Sequence, residues 1–213
     1  MIQIDDAGSG SLIGGTIIGA IRVETKEYYW DLIPIKLYNE KYFKKKLYLE
    51  YTNSIIKKAI NQLKIEKNEQ INICQGYMFD NVRKYLSINN YNYNNIKISE
   101  PLQYIIEKSF EDYSVSLGLP RDFIKFTKYP FHFHRLLRWV YADYNERNKL
   151  CKTGWKSWQK YGHLKVDSYY DFIYKSNYYC LKCGKKISDF SNVKVIKYYS
   201  NMDTIFYLHK TCP

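Results

Sequence analysis

The chain has 213 residues, of which 46% are hydrophobic and 18% aromatic, a composition that excludes an intrinsically disordered protein. Lysines and arginines number 33 and aspartates and glutamates 21, so the net charge is +12. Residues 1–120 hold 15 basic and 14 acidic side chains, which leaves 33 − 15 = 18 basic and 21 − 14 = 7 acidic side chains for residues 121–213. The basic excess of the C-terminal half indicates contact with a polyanion, of which nucleic acid is the commonest.

The start of the chain has neither a membrane span nor a secretion signal in its pattern. Its longest apolar run, SLIGGTIIGAI, is too short to cross a bilayer, and its flanks lack the basic start and cleavage pattern of a signal peptide. The five cysteines are an odd number, which argues against a disulfide framework. We therefore expect a cytoplasmic protein without membrane contact.

Hydrophobic periodicity divides the first 150 residues into strands and helices. Alternating apolar residues are typical of strands, and apolar residues three and four apart are typical of amphipathic helices. Three short strands in succession predict an antiparallel meander, and the later alternation of helix and strand predicts a sheet with helices on its faces. Strands are predicted at residues 2–7, 16–24, 28–38, 71–79 and 96–99, and helices at residues 39–65, 80–86, 101–119 and 131–150.

This order of elements predicts an α/β fold with a mixed five-stranded sheet flanked by helices. We expect one domain over residues 1–150, a basic aromatic connector over 151–175 and a small metal-binding module over 176–213. Within the connector, aromatic rings lie beside basic side chains, a combination that suits stacking on bases and contact with phosphates. The candidates for nucleic-acid contact there are Trp155, Lys156 and Trp158.

The stretch IDDAGSGSLIGG, residues 4–15, places two adjacent aspartates before four glycines. It lacks the Lys-Ser/Thr pair of a Walker loop, and the β-branched run after it predicts a strand where a dinucleotide-binding loop would open a helix. Two carboxylates at the end of a first strand can instead hold a divalent cation. Because side chains alternate along a strand, one of Asp5 and Asp6 suffices to face the cation.

The same stretch resembles the first motif of type 2 and type 3 ribonucleases H, Asp-Glu-Ala/Val-Gly-x-Gly followed by a further glycine. The resemblance is carried by Asp5, Ala7, Gly8, Gly10 and Gly14, with an aspartate in place of the glutamate of that family. It implies a ribonuclease H-like fold in which the first acid binds metal and the second, Asp6, assists it. It also implies that the backbone of Gly8, Ser9 and Gly10 contacts the 2′-hydroxyl of a nucleic-acid strand.

The remaining acids of such a site are less clear from the sequence. Where the family has an acid at the end of the fourth strand, this chain has Gln75, a weak metal ligand. Either Asp80 or Glu100 replaces this acid, or the site is degraded. The alternative role of Asp80 is that of an acid at a helix N-terminus, and the alternative role of Glu100 is that of a solvated acid before a proline. The final acid is expected on a later helix, where Asp143 is our choice and an ion pair with Arg147 is the alternative.

The C-terminal module carries a cysteine and histidine pattern. CLKC at residues 180–183 and HKTC at 209–212 give C-x2-C and H-x2-C with 25 residues between the pairs. Three thiolates and one imidazole complete a tetrahedral Zn²⁺ site, which predicts a structural role in a zinc-ribbon-like module. Its lysines suit nucleic acid, and docking of a protein partner is the alternative. The predicted ligands are Cys180, Cys183, His209 and Cys212.

Together these features predict a divalent-metal-dependent nuclease that hydrolyses RNA or an RNA-containing duplex. Its cofactors would be structural Zn²⁺ and catalytic Mg²⁺ or Mn²⁺, and its catalytic candidates are Asp5, Asp6, Asp80, Glu100 and Asp143. The alternative is a ribonuclease H-like binding or assembly protein that has lost its catalytic metal, as Gln75 indicates.

Overall fold

The computed structural model of the protein describes residues 1–212. These residues contain two β-sheets. The first sheet has five strands in the spatial order β3-β2-β1-β4-β5, and the second has three in the order β6-β7-β8. No helix among the described residues is long and apolar enough to cross a membrane. The strands are β1 (Ile2–Ala7), β2 (Thr16–Arg22), β3 (Tyr28–Ile33), β4 (Ile71–Cys74), β5 (Tyr93–Ile96), β6 (Asp167–Ile173), β7 (Ser191–Tyr199) and β8 (Asp203–His209).

The five-stranded sheet is mixed, as predicted. β1 lies at its centre, antiparallel to β2 and parallel to β4, and β2–β3 and β4–β5 continue these two directions to the edges. Asp5 is paired with Gly19 of β2, and Ile4 with Ile73 of β4. The carboxyl end of β1 therefore lies beside the carboxyl end of β4, where side chains that follow both strands meet.

Residues 1–212 contain eight α-helices. Apolar side chains of α2 and α3 pack against one face of the five-stranded sheet, and those of α4 pack against the other. An α/β architecture with helices on both faces is therefore confirmed. The helices are α1 (Glu40–Phe43), α2 (Leu47–Gln62), α3 (Asp80–Ile88), α4 (Leu102–Ser116), α5 (Arg121–Phe126), α6 (Phe133–Ala142), α7 (Tyr144–Arg147) and α8 (Lys156–Tyr161).

Alternation along β1 decides which face each acid occupies. Ile2 and Ile4 are buried in the core on the α2 side, whereas Ala7 is buried in the core on the α4 side. Because successive side chains of a strand point to opposite faces, Asp5 shares the α4 face and Asp6 the α2 face. The two adjacent carboxylates therefore have different surroundings.

The second half of the chain forms its own apolar core around the three-stranded sheet. Val193, Val195 and Phe206 of that sheet are buried in one cluster with Leu137 and Trp139 of α6. Leu12 and Ile13 of the glycine-rich loop also belong to this cluster. β6, within the predicted connector, pairs along its length with β7. The division into three segments at residues 150 and 175 stays a prediction.

The fifth strand differs from its prediction at residues 96–99, since it runs from Tyr93 to Ile96 through an Asn-rich stretch. Backbone pairing with β4 holds this edge strand, and its last three residues are exposed, so it needs no apolar pattern. Ile98, the apolar residue that favoured a later strand, is buried beneath α4 instead.

Two predicted helices are interrupted. The helix predicted over residues 39–65 is split where Lys46 adopts a left-handed backbone with φ of 55°, which separates α1 from α2. The helix predicted over 131–150 begins at Phe133 and breaks at Asp143, whose φ of −154° and ψ of 65° lie outside the helical region. Side-chain periodicity continues through both breaks, so it does not reveal them.

Candidate functional site

The carboxylate of Asp5 lies at the carboxyl end of β1, between β4 and α4. The Cys74 thiol at the end of β4 donates a hydrogen bond to it, and the Asp6 backbone N–H donates another at 2.8 Å. Burial raises the pKa of Asp5, and the negative charge of Glu107 on α4 raises it further. The charge of Glu107 on α4 therefore acts on Asp5 from a different element, and a cation bound at Asp5 would reduce this repulsion.

Asp6 lies on the opposite face and is the more deeply buried of the two. Burial raises its pKa to about 6, although the Ser9 hydroxyl donates a hydrogen bond to it and Lys152 lies close enough to stabilise its charge. A buried carboxylate costs free energy unless it is paired, so Lys152 and Ser9 account for its presence here. Asp6 is therefore held by the protein itself.

Lys152 is completely buried, and its ammonium group binds the backbone of the glycine-rich loop after β1. Its ammonium group donates hydrogen bonds to the carbonyl oxygen of Gly8 and, at 3.3 Å, to Thr16 Oγ1. It also lies over the rings of Tyr38 and Trp155, at 4.5 and 5.1 Å from their centroids. Burial lowers the pKa of Lys152 to about 7, and the charge of Asp6 opposes this decrease.

The loop held by Lys152 has a backbone that only glycine accommodates at its first position. Gly8 has a φ of +88°, and a Cβ there would lie 2.1 Å from the Phe110 ring of α4. Gly10, by contrast, is exposed and has no atom within 4 Å of an added Cβ. The loop thus presents an open backbone surface at Gly10, which suits the predicted approach of a sugar-phosphate chain.

The structure places the other predicted acids apart from one another. Asp80 is exposed and forms an ion pair with Arg83. Glu100 is exposed in the segment before α4, and Asp143 lies between α6 and α7, where its charge acts on Arg147. Within residues 1–212, no group of three or more acids has its carboxylate oxygens within 4.8 Å of one another. The roles of Asp80, Glu100 and Asp143 at a metal site therefore stay predictions.

Sequence reasoning missed Glu107 and Lys152. Glu107 follows the buried Ile106 on α4 and borders its apolar face, so helical spacing could have placed it near the end of β1. Lys152 has no such signal, because lysines are rarely fully buried and it lies 146 residues from Asp6 in the chain.

The cysteine and histidine cluster is assembled as predicted. The ligand atoms of its four residues lie within 4.8 Å of one another. The Cys180 and Cys212 sulfurs are 3.7 Å apart, and Cys183 Sγ lies 3.3 Å from His209 Nδ1. Zinc bonds of about 2.3 Å to sulfur and 2.0 Å to nitrogen at tetrahedral angles place such atoms about 3.8 and 3.5 Å apart. The cluster can therefore hold a metal ion such as zinc.

Backbone geometry prepares this cluster for a metal. Gly184 has a φ of +75° and donates its N–H to the Cys180 carbonyl at 2.7 Å, which closes the turn between the first two ligands. Burial opposes ionisation of the Cys180 thiol, but backbone N–H groups, including that of Cys183, hold its pKa below the usual range. His209 Nε2 lies 3.3 Å from the Lys186 carbonyl, a contact that leaves Nδ1 free for a metal.

Arg147 joins the cluster to the helices beneath it. Its buried guanidinium donates hydrogen bonds to the carbonyl oxygens of Trp139, Leu181 and Lys182, at 2.6, 2.8 and 2.6 Å. The group also stacks over the Trp139 ring, 4.0 Å from its centroid. The turn that carries Cys180 and Cys183 is thereby fixed to α6 and α7, so the cluster and the C-terminal core form one packed unit.

The three predicted connector contacts differ in exposure. Trp158 is only 3% exposed and its ring packs in the C-terminal core. Trp155 is half-buried over Lys152, whereas Lys156 is exposed at the start of α8. The Trp158 ring is therefore closed to a base, and Lys156 is the most accessible of the three.

Comparison with known proteins gives no relative for this site. The sequence matches no protein-family model, and no curated protein matches it.

Proposed function

We propose that the protein is a ribonuclease H-like, divalent-metal-dependent nuclease that hydrolyses RNA or an RNA-containing duplex. The observation that carries this proposal is the position of Asp5 at the carboxyl end of the central strand, beside the glycine loop that Lys152 binds. It gives a cation a carboxylate on a rigid strand, with the charge of Glu107 acting on it, beside a glycine loop that can approach a nucleic-acid backbone. The strand order and the net charge of +12 support it as well.

The residues present fit Mg²⁺ or Mn²⁺. Mg²⁺ is usually bound through one or two carboxylates together with substrate phosphates, and Asp5 provides one at the end of β1. A cation held there would polarise the phosphodiester and lower the pKa of a bound water. Gln75 is exposed at the end of β4 and supplies no charge, so the site depends on the substrate to complete its ligands.

Each remaining group of the site then has a task. Asp6 would stabilise the loop from the other face, where a hydrogen bond from Ser9 and the charge of Lys152 stabilise its carboxylate. Lys152 binds the Gly8 carbonyl and so fixes the direction of the loop backbone. The exposed Gly10 would contact the strand, because no side chain shields its amide and carbonyl groups.

The test is hydrolysis of labelled single-stranded RNA, duplex DNA and RNA/DNA hybrid with Mg²⁺ or Mn²⁺. We expect cleavage of RNA-containing substrates, and we expect Asp5→Asn or Glu107→Gln to slow it by more than the about 10- to 100-fold that loss of an outer-shell partner costs. Asp112→Asn is the matched control, since it removes an exposed acid of α4 that pairs with Arg121. Cleavage that survives both site substitutions contradicts the proposed site.

A second candidate is a nucleic-acid-binding protein of the same fold without hydrolysis. The observation in its favour is that Asp5 accepts a hydrogen bond from Cys74, whose thiol has a pKa raised to about 11 by burial and therefore stays neutral. A neutral thiol beside the acid is a poor partner for Mg²⁺. Tight binding of all three nucleic acids, with no cleavage under either metal, favours this candidate.

A further inference from the structure

A cleft of about 600 Å³ opens in the second half of the protein, remote in sequence from the acidic strand end. Its walls come from α5, from α6, from the turn that carries the first metal-cluster cysteines and from β8. This volume lies in the range of pockets that hold one small organic ligand. Six of its lining residues carry the argument: Phe123, Lys128, Arg135, Arg138, Tyr178 and Tyr207.

Two arginines without counterions line the cleft. Arg138 is half-buried, and its Nε is buried without a hydrogen-bond partner. Burial and the neighbouring charge of Arg135 both lower the pKa of Arg138. The ion pairs formed within residues 1–212 include neither arginine. Two cations that repel each other, one with an unmatched buried donor, are stabilised by an anion between them.

The charge of the cleft is positive in its other parts too. Lys128 adds a third cation to the wall, and Asp122 is the one carboxylate among the lining residues. Planar guanidinium groups bind phosphate oxygens in a bidentate manner, so a phosphate is the anion that this set fits best. The lining thus favours a ligand with at least one phosphate.

Aromatic rings also line the cleft. Tyr178 and Tyr207 lie with their ring centroids 4.6 Å apart, and Phe123 lines the same space. Exposed aromatic faces stack on nucleobases at about 1 to 3 kcal/mol per base, with little dependence on sequence. A duplex keeps its bases stacked inside, so this wall suits a base from a single strand.

We propose that this cleft binds one nucleotide of a single-stranded nucleic acid, with the phosphate on Arg135 and Arg138 and the base against the tyrosines. The inference adds a binding site to the proposed function and does not require hydrolysis. It commits to nucleic acid over an acidic peptide because aromatic side chains, which can stack on a base, line the cleft together with the arginines.

The test is the affinity of the full-length protein for a fluorescein-labelled 12-nucleotide oligouridine, measured by anisotropy without Mg²⁺. We expect Arg135→Gln/Arg138→Gln to weaken binding about tenfold or more, because two phosphate contacts are lost. The matched control, Lys45→Gln/Lys97→Gln, removes the same charge from exposed lysines outside the cleft and should weaken binding less than threefold. Arg135→Gln alone, at an exposed position, provides a second variant if the double variant does not fold.

Three outcomes decide the inference. A loss in the arginine variants no larger than in the lysine control overturns it. Competition by a 12-residue polyglutamate as effective as that by unlabelled oligouridine also overturns it, in favour of an acidic protein partner. A selective loss supports it, and Tyr207→Ala should then weaken binding as well. The affinity is measured without Mg²⁺ and the hydrolysis with it, so failure of the proposed hydrolysis and failure of this inference are separate results.

Discussion

The Cys/His cluster and the acidic strand end are both candidate metal sites, yet the protein assembles them in different ways. The cluster draws its four ligands from two short segments, and all ligand atoms lie within 4.8 Å of one another. At the acidic end the charge of Glu107 on α4 acts on Asp5 of β1, and no group of three acids within residues 1–212 has its carboxylate oxygens within 4.8 Å of one another. One site is closed by the protein, and the other stays open.

The two arrangements suit a metal ion for different roles, one in the stability of the fold and the other in function. A closed tetrahedral site leaves no position for a substrate, so its metal can only stabilise the fold. An open pair of carboxylates binds a cation weakly until substrate phosphates add ligands, which is what catalysis requires. We therefore expect changes at the cluster to act on folding, and changes at the strand end to act mainly on nucleic acid.

The largest effect is expected from loss of the cluster. Cys180→Ser should abolish stoichiometric zinc binding and unfold the C-terminal core, because structural Zn²⁺ contributes on the order of 10 kcal/mol to small modules. Metal analysis and circular dichroism during thermal unfolding measure both effects. Cys74→Ser is the control, since Cys74 lies outside the cluster. Equal zinc content and equal unfolding temperatures in the two variants would contradict a structural metal.

A substantial effect is also expected at Lys152, which lies in the second half of the chain and binds the Gly8 carbonyl in the first half. Lys152→Met should lower the free energy of unfolding by about 3 to 5 kcal/mol, because it removes the hydrogen bonds of a buried ammonium group to the Gly8 carbonyl and Thr16 Oγ1, each worth about 1.5 to 3 kcal/mol. Urea denaturation measures the change. Lys149→Met is the control, since Lys149 is exposed and pairs with Glu146 at the surface. A loss below 1 kcal/mol at Lys152 would show that the buried contact is dispensable.

The same lysine predicts a dependence of stability on pH. Its pKa is about 7 in the folded protein and 10.5 in the unfolded chain, so the unfolded chain binds more protons between these values. The stability contributed at Lys152 therefore rises with pH across this window, by at most about 1.4 kcal/mol per pH unit. Denaturation at pH 7 and pH 9 should show a larger difference between wild type and Lys152→Met at pH 9. A smaller difference at pH 9 contradicts the lowered pKa.

The sequence predicts the Cys/His cluster better than the acidic end, because the two sites differ in how far apart their residues lie in the chain. Cys180, Cys183, His209 and Cys212 are two local pairs with fixed spacing, so the pattern alone predicts their assembly. Glu107 and Lys152 reach the acidic end through the packing of α4 and of the segment after α7, over separations that no local pattern records. The positions of β1 and β2, in turn, follow from clear apolar patterns, whereas the exposed edge strand β5 carries no such pattern.

A smaller effect is expected from the loop backbone. Gly8→Ala should cost about 2 to 3 kcal/mol, because φ is +88° and the added methyl group overlaps the Phe110 ring. Gly10→Ala is the matched control and should stay within about 0.5 kcal/mol of wild type, since its Cβ meets no atom within 4 Å. Urea denaturation compares the two variants. Equal stabilities would contradict the close packing of Gly8 against α4.

The smallest effect on stability, and the sharpest on the acidic site, is expected at Glu107. Glu107→Gln should change the free energy of unfolding by less than about 0.5 kcal/mol, because the side chain is exposed. It should nevertheless lower the pKa of Asp5, since the charge of Glu107 adds to burial in raising that pKa. Carbon-13 NMR of the Asp5 carboxyl group measures the pKa directly. An Asp5 pKa that is unchanged in Glu107→Gln, or that decreases equally in Asp112→Asn, would mean that Asp5 and Glu107 do not share one site.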